Sequence, residues 1–419
     1  MITKLFQHQV EGVNYLHRRL NACLFWEVGT GKTNTVISVI NKLRRRKLLI
    51  LAPAYVINHM WKNYDDLPIN QDYTLMSYEW LSRHLEFCRN NKFDYMICDE
   101  CHKLKNRKSN ISKAVRSLAK KCERVYGLTG TPYATSFLDV WCIFHALNIE
   151  EFTENYETFM HKYYICKTVY VAAGRFIYQP AQLKPGAMET LISRIAKHAS
   201  VKRTIDCIEL PELTIKKVYI PGMITKEYID CTKGIVTYAD EHQETVNKLA
   251  CIQKLHQLSN GFLYDQNKKP IVLKDNLKLR ECVDYVQSEL EERDKLIIVY
   301  IYKFDYDQLK EALEQIGIAV TDNFDDFGVH QVLLLQEQKA IGVNLQDFTS
   351  LIVFYTFSFS YIDYNQAIGR IYRSGQTQPC TVCAMLNKDT YEEKIWECVQ
   401  NRYDIDTTFK ILMSEQVDV

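Results

Sequence analysis

Short apolar runs alternate along the chain with stretches whose apolar positions recur every three or four residues, the pattern of buried strands interleaved with covering helices. In the first half the runs at 22–26, 48–52, 95–99 and 125–129 read as strands; in the second half those at 296–302, 332–336, 351–355 and 381–386 do. Two such sets predict an α/β protein with largely parallel sheets in two lobes. Residues 140–280 read mostly as helix, interrupted by an extended stretch, 206–221, whose Leu210-Pro211 and Pro221 act as breaks. The expected division is therefore 1–205, with a helical protrusion from about 140, and 206–419, with a helical segment over 222–290. There is no internal repeat, low-complexity tract or Pro- or Ser-rich linker.

The 419 residues are 47% apolar and 25% charged, as in a globular protein with a sizeable core. Lys plus Arg (52) balances Asp plus Glu (51), which excludes a polycation that coats nucleic acid or anionic lipid wholesale. Any polyanion site must be local. The longest apolar stretch, 48–57, contains Pro53 and is too short for a membrane helix, which needs about 18 residues. The first nine residues lack the pattern of a secretory signal. With 14 scattered cysteines, the chain reads as a cytoplasmic protein without a membrane partner. Cys98 with Cys101 and Cys380 with Cys383 have CxxC spacing, but on a strand residues three apart face opposite ways, which argues against a shared zinc.

Charge is uneven within the balanced total. From Lys103 to Arg124 there are nine Lys or Arg residues and one acid, Glu123. Such a run fits a solvated helix face or a phosphate-binding strip.

Glycine is scarce, 15 in the chain, so the cluster Gly29-Thr30-Gly31-Lys32-Thr33 stands out. It follows an apolar strand and precedes a helical pattern with Val36, Ile40 and Leu43 on one face. Strand, Gly-rich loop, Lys, Thr and helix form the layout of a phosphate cradle, with backbone N–H groups on phosphate oxygens, Lys32 on the outer phosphates and the Thr33 hydroxyl on Mg²⁺. A full cradle pattern has glycine six positions before the lysine, where this chain has Trp26, and a plain strand-to-helix turn also fits. Asp99-Glu100-Cys101-His102 ends a strand, where adjacent acids can hold Mg²⁺ (Asp99) and activate water (Glu100), or simply cap a turn. Leu128-Thr129-Gly130-Thr131-Pro132 ends another. Far downstream, Arg370 and Arg373 are three apart; on a helix they share a face, either as surface arginines or as two guanidinium groups for one anion.

Taken in order, Gln9, Gly29 to Thr33, Asp99 to His102, Thr129 to Pro132, Gly342-Val343-Asn344-Leu345 and Gln366 with Gly369-Arg370 and Arg373 resemble the motifs of superfamily-2 helicase-like ATPases. Leu5-Phe6-Gln7-His8-Gln9-Val10-Glu11-Gly12-Val13, Ser77-Tyr78-Glu79, His102-Lys103-Leu104-Lys105-Asn106, Arg373-Ser374-Gly375-Gln376 and Thr390-Tyr391-Glu392-Glu393-Lys394-Ile395 narrow the resemblance to the Swi/Snf-type DNA translocases. The resemblance spans nearly the whole chain. It implies two tandem RecA-like lobes, ATP with Mg²⁺ in the cleft between them, and double-stranded DNA across both. Gln9 is implied to read adenine. The resemblance further implies that Gly29, Thr30, Gly31, Lys32, Thr33, Asp99 and Glu100 bind and hydrolyse ATP, that Thr33 and Asp99 hold the metal, and that Arg370 and Arg373 act as fingers, with Gln366 beside the phosphates and Gly342 in the motif linking ATP to DNA. DNA contacts are expected at Pro53, Ser77, Lys105, Asn106, Arg107, Lys108, Thr131, Lys303 and Asn344.

Three departures stand beside it. Gln338-Lys339-Ala340-Ile341 replaces a Gly-Gly pair, Phe357-Ser358-Phe359-Ser360 replaces a Trp-Asn-Pro element, and the connection between Leu313 and Val332, with Asp322, Asp325 and Asp326, is short. They bear on DNA contacts of the second lobe. The chain reads as a stripped motor of the kind found in bacteriophages and mobile elements. A strand-separating DNA or RNA helicase that engages single-stranded nucleic acid, and a motor-like subunit that recruits a nuclease, replication or repair protein, are the competing readings.

Overall fold

A computed structural model describes residues 5–63, 69–130, 137–172, 175–221, 224–237, 243–245, 248–265, 267–272, 276–339 and 344–401. The chain forms two units, Met1–Glu209 and Leu210–Val419. Each is an α/β lobe built on a six-stranded parallel sheet, the α/β architecture in two lobes that the apolar pattern predicts.

The first unit contains β1 (Asn21–Trp26), β2 (Lys47–Ala52), β3 (Asp72–Ser77), β4 (Tyr95–Asp99), β5 (Arg124–Thr129), β6 (Tyr164–Ala172), β7 (Arg175–Leu183) and β8 (Ala199–Lys202). Its sheet runs in the order β3-β2-β4-β5-β1-β8. The central strands are apolar on both faces because both are covered. Cys23, Phe25, Leu49, Leu51, Met96, Cys98 and Val125 point into one core, shared with Trp141 and Phe144 of the helix Phe137–Ala146. Alternate residues Leu24, Leu48, Ile50, Ile97 and Leu128 are buried too. The helix Asn110–Ala119 shows how charge and packing separate: Ser109 caps it by accepting from the Ser112 N–H, Ala114, Val115 and Leu118 are buried, and Lys113 is exposed.

The second unit contains β9 (Leu213–Ile220), two short hairpins of β10 (Ile235–Thr237) with β11 (Gln243–Thr245) and β12 (Phe262–Tyr264) with β13 (Pro270–Val272), and then β14 (Leu296–Tyr300), β15 (Val320–Thr321), β16 (Val332–Gln336), β17 (Leu351–Phe354) and β18 (Cys380–Asn387). The large sheet runs β15-β16-β14-β17-β18-β9. Its strands alternate between two cores. Ile297, Val299, Leu333, Leu335 and Ile352 face one with Trp396, and Leu296, Ile298, Val332, Leu334 and Leu351 face the other with Leu309 and Leu313.

The structure corrects the expectation of a mostly helical 140–280. Helices Tyr156–Tyr163, Ala187–Ala196, Lys226–Thr232, Lys248–Ser259 and Leu277–Glu292 are present, but β6 and β7 form an antiparallel ribbon where the protrusion was expected to be helical. The β-branched and aromatic residues of Thr168-Val169-Tyr170 and Phe176-Ile177-Tyr178 favour extended backbone over helix. No helix among the described residues is long and apolar enough to cross a membrane.

Candidate active site

The parallel register aligns the carboxyl ends of four strands of the first unit. Phe25 lies beside Thr129, Leu51 beside Cys98, and Asp99 beside Leu128. Open parallel sheets bind ligands along this edge.

β1 ends at Trp26, and the loop to the helix Lys32–Lys42 turns through two left-handed glycines, Gly29 (φ 84°) and Gly31 (φ 76°). Glycine is needed there because L side chains are strained in that region. The Thr30 hydroxyl donates to the Glu27 carbonyl at 2.8 Å, folding the loop on itself. The Lys32 ammonium donates to the Trp26 and Glu27 carbonyls at 2.9 and 3.1 Å. Thr33 is the second residue of the helix, half-buried.

The helix Gln7–His17 braces this loop from outside. His8 Nε2 lies 2.9 Å from the Thr30 carbonyl, and Gln9 Nε2 lies 3.4 Å from the Thr30 and Gly31 carbonyls, while Gln9 Oε1 accepts from the Phe6 N–H at 2.9 Å. In the sequence His8 stands out only as part of the Leu5 to Val13 run beside Gln9. Trp26, at the position where a full cradle pattern has glycine, is the last strand residue and not part of the turn. Its fully buried ring packs where Gly12 leaves room, since a Cβ on Gly12 would stand 2.3 Å from it.

At the end of β4, Asp99 is buried. Its Oδ2 accepts from Trp61 Nε1 at 3.0 Å and its Oδ1 from the Glu100 N–H at 3.0 Å. Burial and the neighbouring Glu100 charge push its carboxyl up to about 7, against the pull of the Trp61 bond and the Lys32 charge. Glu100 has left-handed backbone (φ 50°, ψ 47°), which breaks the strand and turns its side chain back toward His102. Glu100 Oε2 lies 3.2 Å from His102 Nδ1, which lies 3.1 Å from the Thr129 hydroxyl at the end of β5. A relay thus joins the acidic pair to the Thr129-Gly130 strand end. Trp61 could not be found from its sequence neighbourhood, because a 38-residue separation hides the contact.

The basic strip begins on a short 3-10 helix, Cys101–Lys105. Lys105, Asn106 and Lys108 are exposed. Arg107 is engaged elsewhere: its guanidinium lies 4.1 Å over the Tyr156 ring and 3.7 Å from Glu157. Pro53 is buried at the start of the helix Ala54–His59 and has no N–H to offer a phosphate. The Ser77 hydroxyl caps the helix Tyr78–Arg83 by accepting from the Trp80 N–H at 3.1 Å. Thr131 lies outside the described residues.

In the second unit, Gln366 is buried on the helix Tyr361–Ile368, but Arg370 and Arg373 are not on a shared helical face as expected. The helix stops at Ile368. The ladder breaks where the Arg370 N–H donates to the Ala367 carbonyl at 3.1 Å instead of to that of Gln366, and past the turn the Arg370 carbonyl accepts from the Leu345 N–H at 3.1 Å. The Arg370 Nε donates to the Gln366 carbonyl at 2.9 Å, and burial lowers the Arg373 guanidinium against the opposing charge of Asp347. Gln376 then ties this turn to the segment after Asn344, donating to the Gln346, Thr349 and Ile371 carbonyls at 3.2 Å each. Asn344 is exposed, and Gly342 lies outside the described residues. Lys303 is the exposed first residue of the helix Lys303–Gln315.

The chain is similar to several known proteins. Human RAD54B, a DNA repair and recombination protein, is 24% identical over 95% of this chain and 54% of its own length. The uncharacterized ATP-dependent helicase YqhH of Bacillus subtilis (strain 168) is 24% identical over 98% of this chain and 80% of its own. A solved structure, the Sulfolobus solfataricus SWI2/SNF2 ATPase core in complex with dsDNA, aligns over 100% of this chain and 94% of its own at 20% identity and a TM-score of 0.41. This chain spans about half the length of RAD54B and less of a Mycoplasma genitalium helicase, of which it covers 42%. The SNF2-related domain matches residues 63–288, more than half of the 419 residues, and the chain therefore belongs to the SNF2-related family.

Proposed function

We propose that the chain is an ATPase stimulated by nucleic acid that moves along double-stranded DNA. The observation that carries this reading is the convergence, on one sheet edge, of the Gly29–Thr33 loop, the buried Asp99 beside the Lys32 charge, and the Glu100–His102–Thr129 relay. RAD54B by name a DNA repair and recombination protein, and YqhH by name an ATP-dependent helicase, support it.

Backbone N–H groups of residues 29–33 and the start of the following helix hold the phosphates, and Lys32 exchanges its two carbonyl partners for phosphate oxygens. Gln9 reads the adenine edge. Asp99 and Thr33 fit a Mg²⁺ ion, since a buried carboxyl and a hydroxyl are hard oxygen donors and such a cation would favour the ionised Asp99 carboxylate, its proton passing to water. When bound, the ion supplies neutralisation of the outer phosphate oxygens. Glu100 orients the attacking water and takes its proton, and His102 passes the change at Glu100 to Thr129. Arg370 and Arg373 stabilise the charge that builds on the γ-phosphate. Ser77, Lys105, Asn106, Lys108, Lys303 and Asn344 grip the phosphodiester backbone without regard to sequence; buried Pro53 and the engaged Arg107 are left out of that set.

ATP turnover is to be measured with blunt duplex DNA, single-stranded DNA and RNA. Duplex DNA should stimulate most. Lys32→Ala and Glu100→Gln should abolish turnover with the fold intact, and wild-type stimulated turnover in either variant would overturn the assignment.

A further inference from the structure

The β6–β7 ribbon of the first unit takes no part in the site above. Only its base is in the core: Tyr164 is buried there, with Cys166 and Leu183 packed against the cluster. Beyond the base the antiparallel register pairs Tyr170 with Phe176 and Thr168 with Tyr178. Cross-strand partners and alternate residues share a face, so Tyr170, Phe176 and Tyr178 all stand on one side. Their exposures are 60%, 64% and 61%. The Tyr170 and Phe176 rings meet edge to face with centroids 5.4 Å apart, and His161 holds the Tyr178 ring in the same way at 5.4 Å.

Three aromatic rings on a two-stranded ribbon are costly to leave in water, and a ribbon of this size is marginal alone. Its charge says what covers it. From residue 161 to 184 the sequence has Lys162, Lys167, Arg175 and Lys184 and not one Asp or Glu. In a chain of net charge +1 that is a local excess. By the same register Lys167, opposite Gln179, stands on the other face, so the cations flank the rings. A ribbon with rings on one face and cations around it matches a flexible polyanion carrying planar groups. A paired duplex hides its base faces; an unpaired strand presents them.

We propose that the aromatic face of this ribbon stacks on the unpaired bases of single-stranded nucleic acid, giving the motor a grip on a strand that has left the duplex. The inference extends the proposed nucleic-acid motor but does not need ATP, so the two fail separately.

The test uses the full chain without nucleotide and four probes of matched sequence: a single-stranded DNA oligonucleotide carrying 2-aminopurine, the same strand as RNA, a forked duplex and a blunt duplex. The ribbon predicts quenching of 2-aminopurine on binding. Tyr170→Ala/Phe176→Ala/Tyr178→Ala should weaken single-strand and fork binding by roughly 10- to 100-fold, since base stacking is lost. The same variant should leave blunt-duplex-stimulated ATP turnover unchanged. Tyr170→Phe/Tyr178→Phe should keep wild-type affinity, because the rings remain. Equal affinity and quenching in the alanine variant would overturn the proposal, as would equal losses on fork and blunt duplex. Absence of single-strand binding by the wild type, with a protein strand adding to the ribbon edge instead, would assign it to a protein partner. Failure of every nucleic acid to stimulate ATP turnover, with single-strand quenching intact, would refute the motor and spare the ribbon. DNA against RNA affinity identifies which strand is taken.

Discussion

Gly31→Ala tests the cradle and its brace together. At φ 76° an alanine is strained by about 1–2 kcal/mol relative to glycine, a cost the folded loop must bear whether or not nucleotide is present. The added Cβ would stand 2.0 Å from Gln9 Nε2, so the amide must leave. That motion is cheap in steric terms, because the amide is the free end of a flexible side chain. It is costly in function if Gln9 reads adenine. Losing one or two hydrogen bonds of about 0.5–1.5 kcal/mol each corresponds to roughly 2- to 150-fold in ATP affinity. The assay is titration with a fluorescent ATP analogue, paired with thermal melting, on wild type, Gly31→Ala, Gln9→Ala and the double variant. If displacement of Gln9 is the route, the double variant binds no more weakly than Gln9→Ala, while the loss in melting temperature from Gly31→Ala persists. Wild-type ATP affinity in Gly31→Ala would refute the reasoning. Fully additive losses would show that the methyl group acts on ATP by a route independent of Gln9.

Gly12→Ala should destabilise the first unit by about 1–3 kcal/mol despite alanine's better helix propensity, because the Cβ meets the immobile Trp26 ring; a thermal melt no lower than wild type would contradict this. Lys278 and Glu392 are both fully buried and 2.5 Å apart, with Asn260 and Asn387 completing their bonds. Lys278→Met should cost the second unit about 3–5 kcal/mol by stranding the carboxylate, and adding Glu392→Gln should recover part of it. Unfolding followed by fluorine NMR at 5-fluorotryptophan 396, the only tryptophan of that unit, checks both, and equal stability of the single variant would sink the argument. Burial pushes the Asp305 carboxyl up to about 7 from 3.8, against bonds from Thr356 and the Tyr302 N–H. The unfolded chain then releases this proton first, so stability from this group is full below about pH 4 and falls by up to about 1.4 kcal/mol per unit toward pH 7. Asp305→Asn should remove that part of the slope in denaturant titrations between pH 4 and 7, and an unchanged slope would refute it.

Much of this molecule was legible in order along the chain. The apolar runs that became β1, β2, β4, β5, β14, β16, β17 and β18 stood out because parallel strands covered on both faces have no polar alternation to disguise them. β3, with its exposed Asp72, Tyr73 and Thr74, and the two-residue β15 lack that signature and are not legible from it. The glycine-lysine loop and the acidic pair were visible for a related reason: their chemistry needs particular residue types close together in sequence. What the order of residues could not reveal were contacts across it. Trp61 on Asp99, His8 on the Thr30 carbonyl, and Gly12 making space for Trp26 depend on which strands and helices become neighbours. The bond from the Leu345 N–H to the Arg370 carbonyl, just past the end of a helix, is another contact of this kind. Short-range pattern determines where a strand or a loop can form; a hydrogen bond or a packed ring between distant residues is chosen only when the sheet order has brought them together.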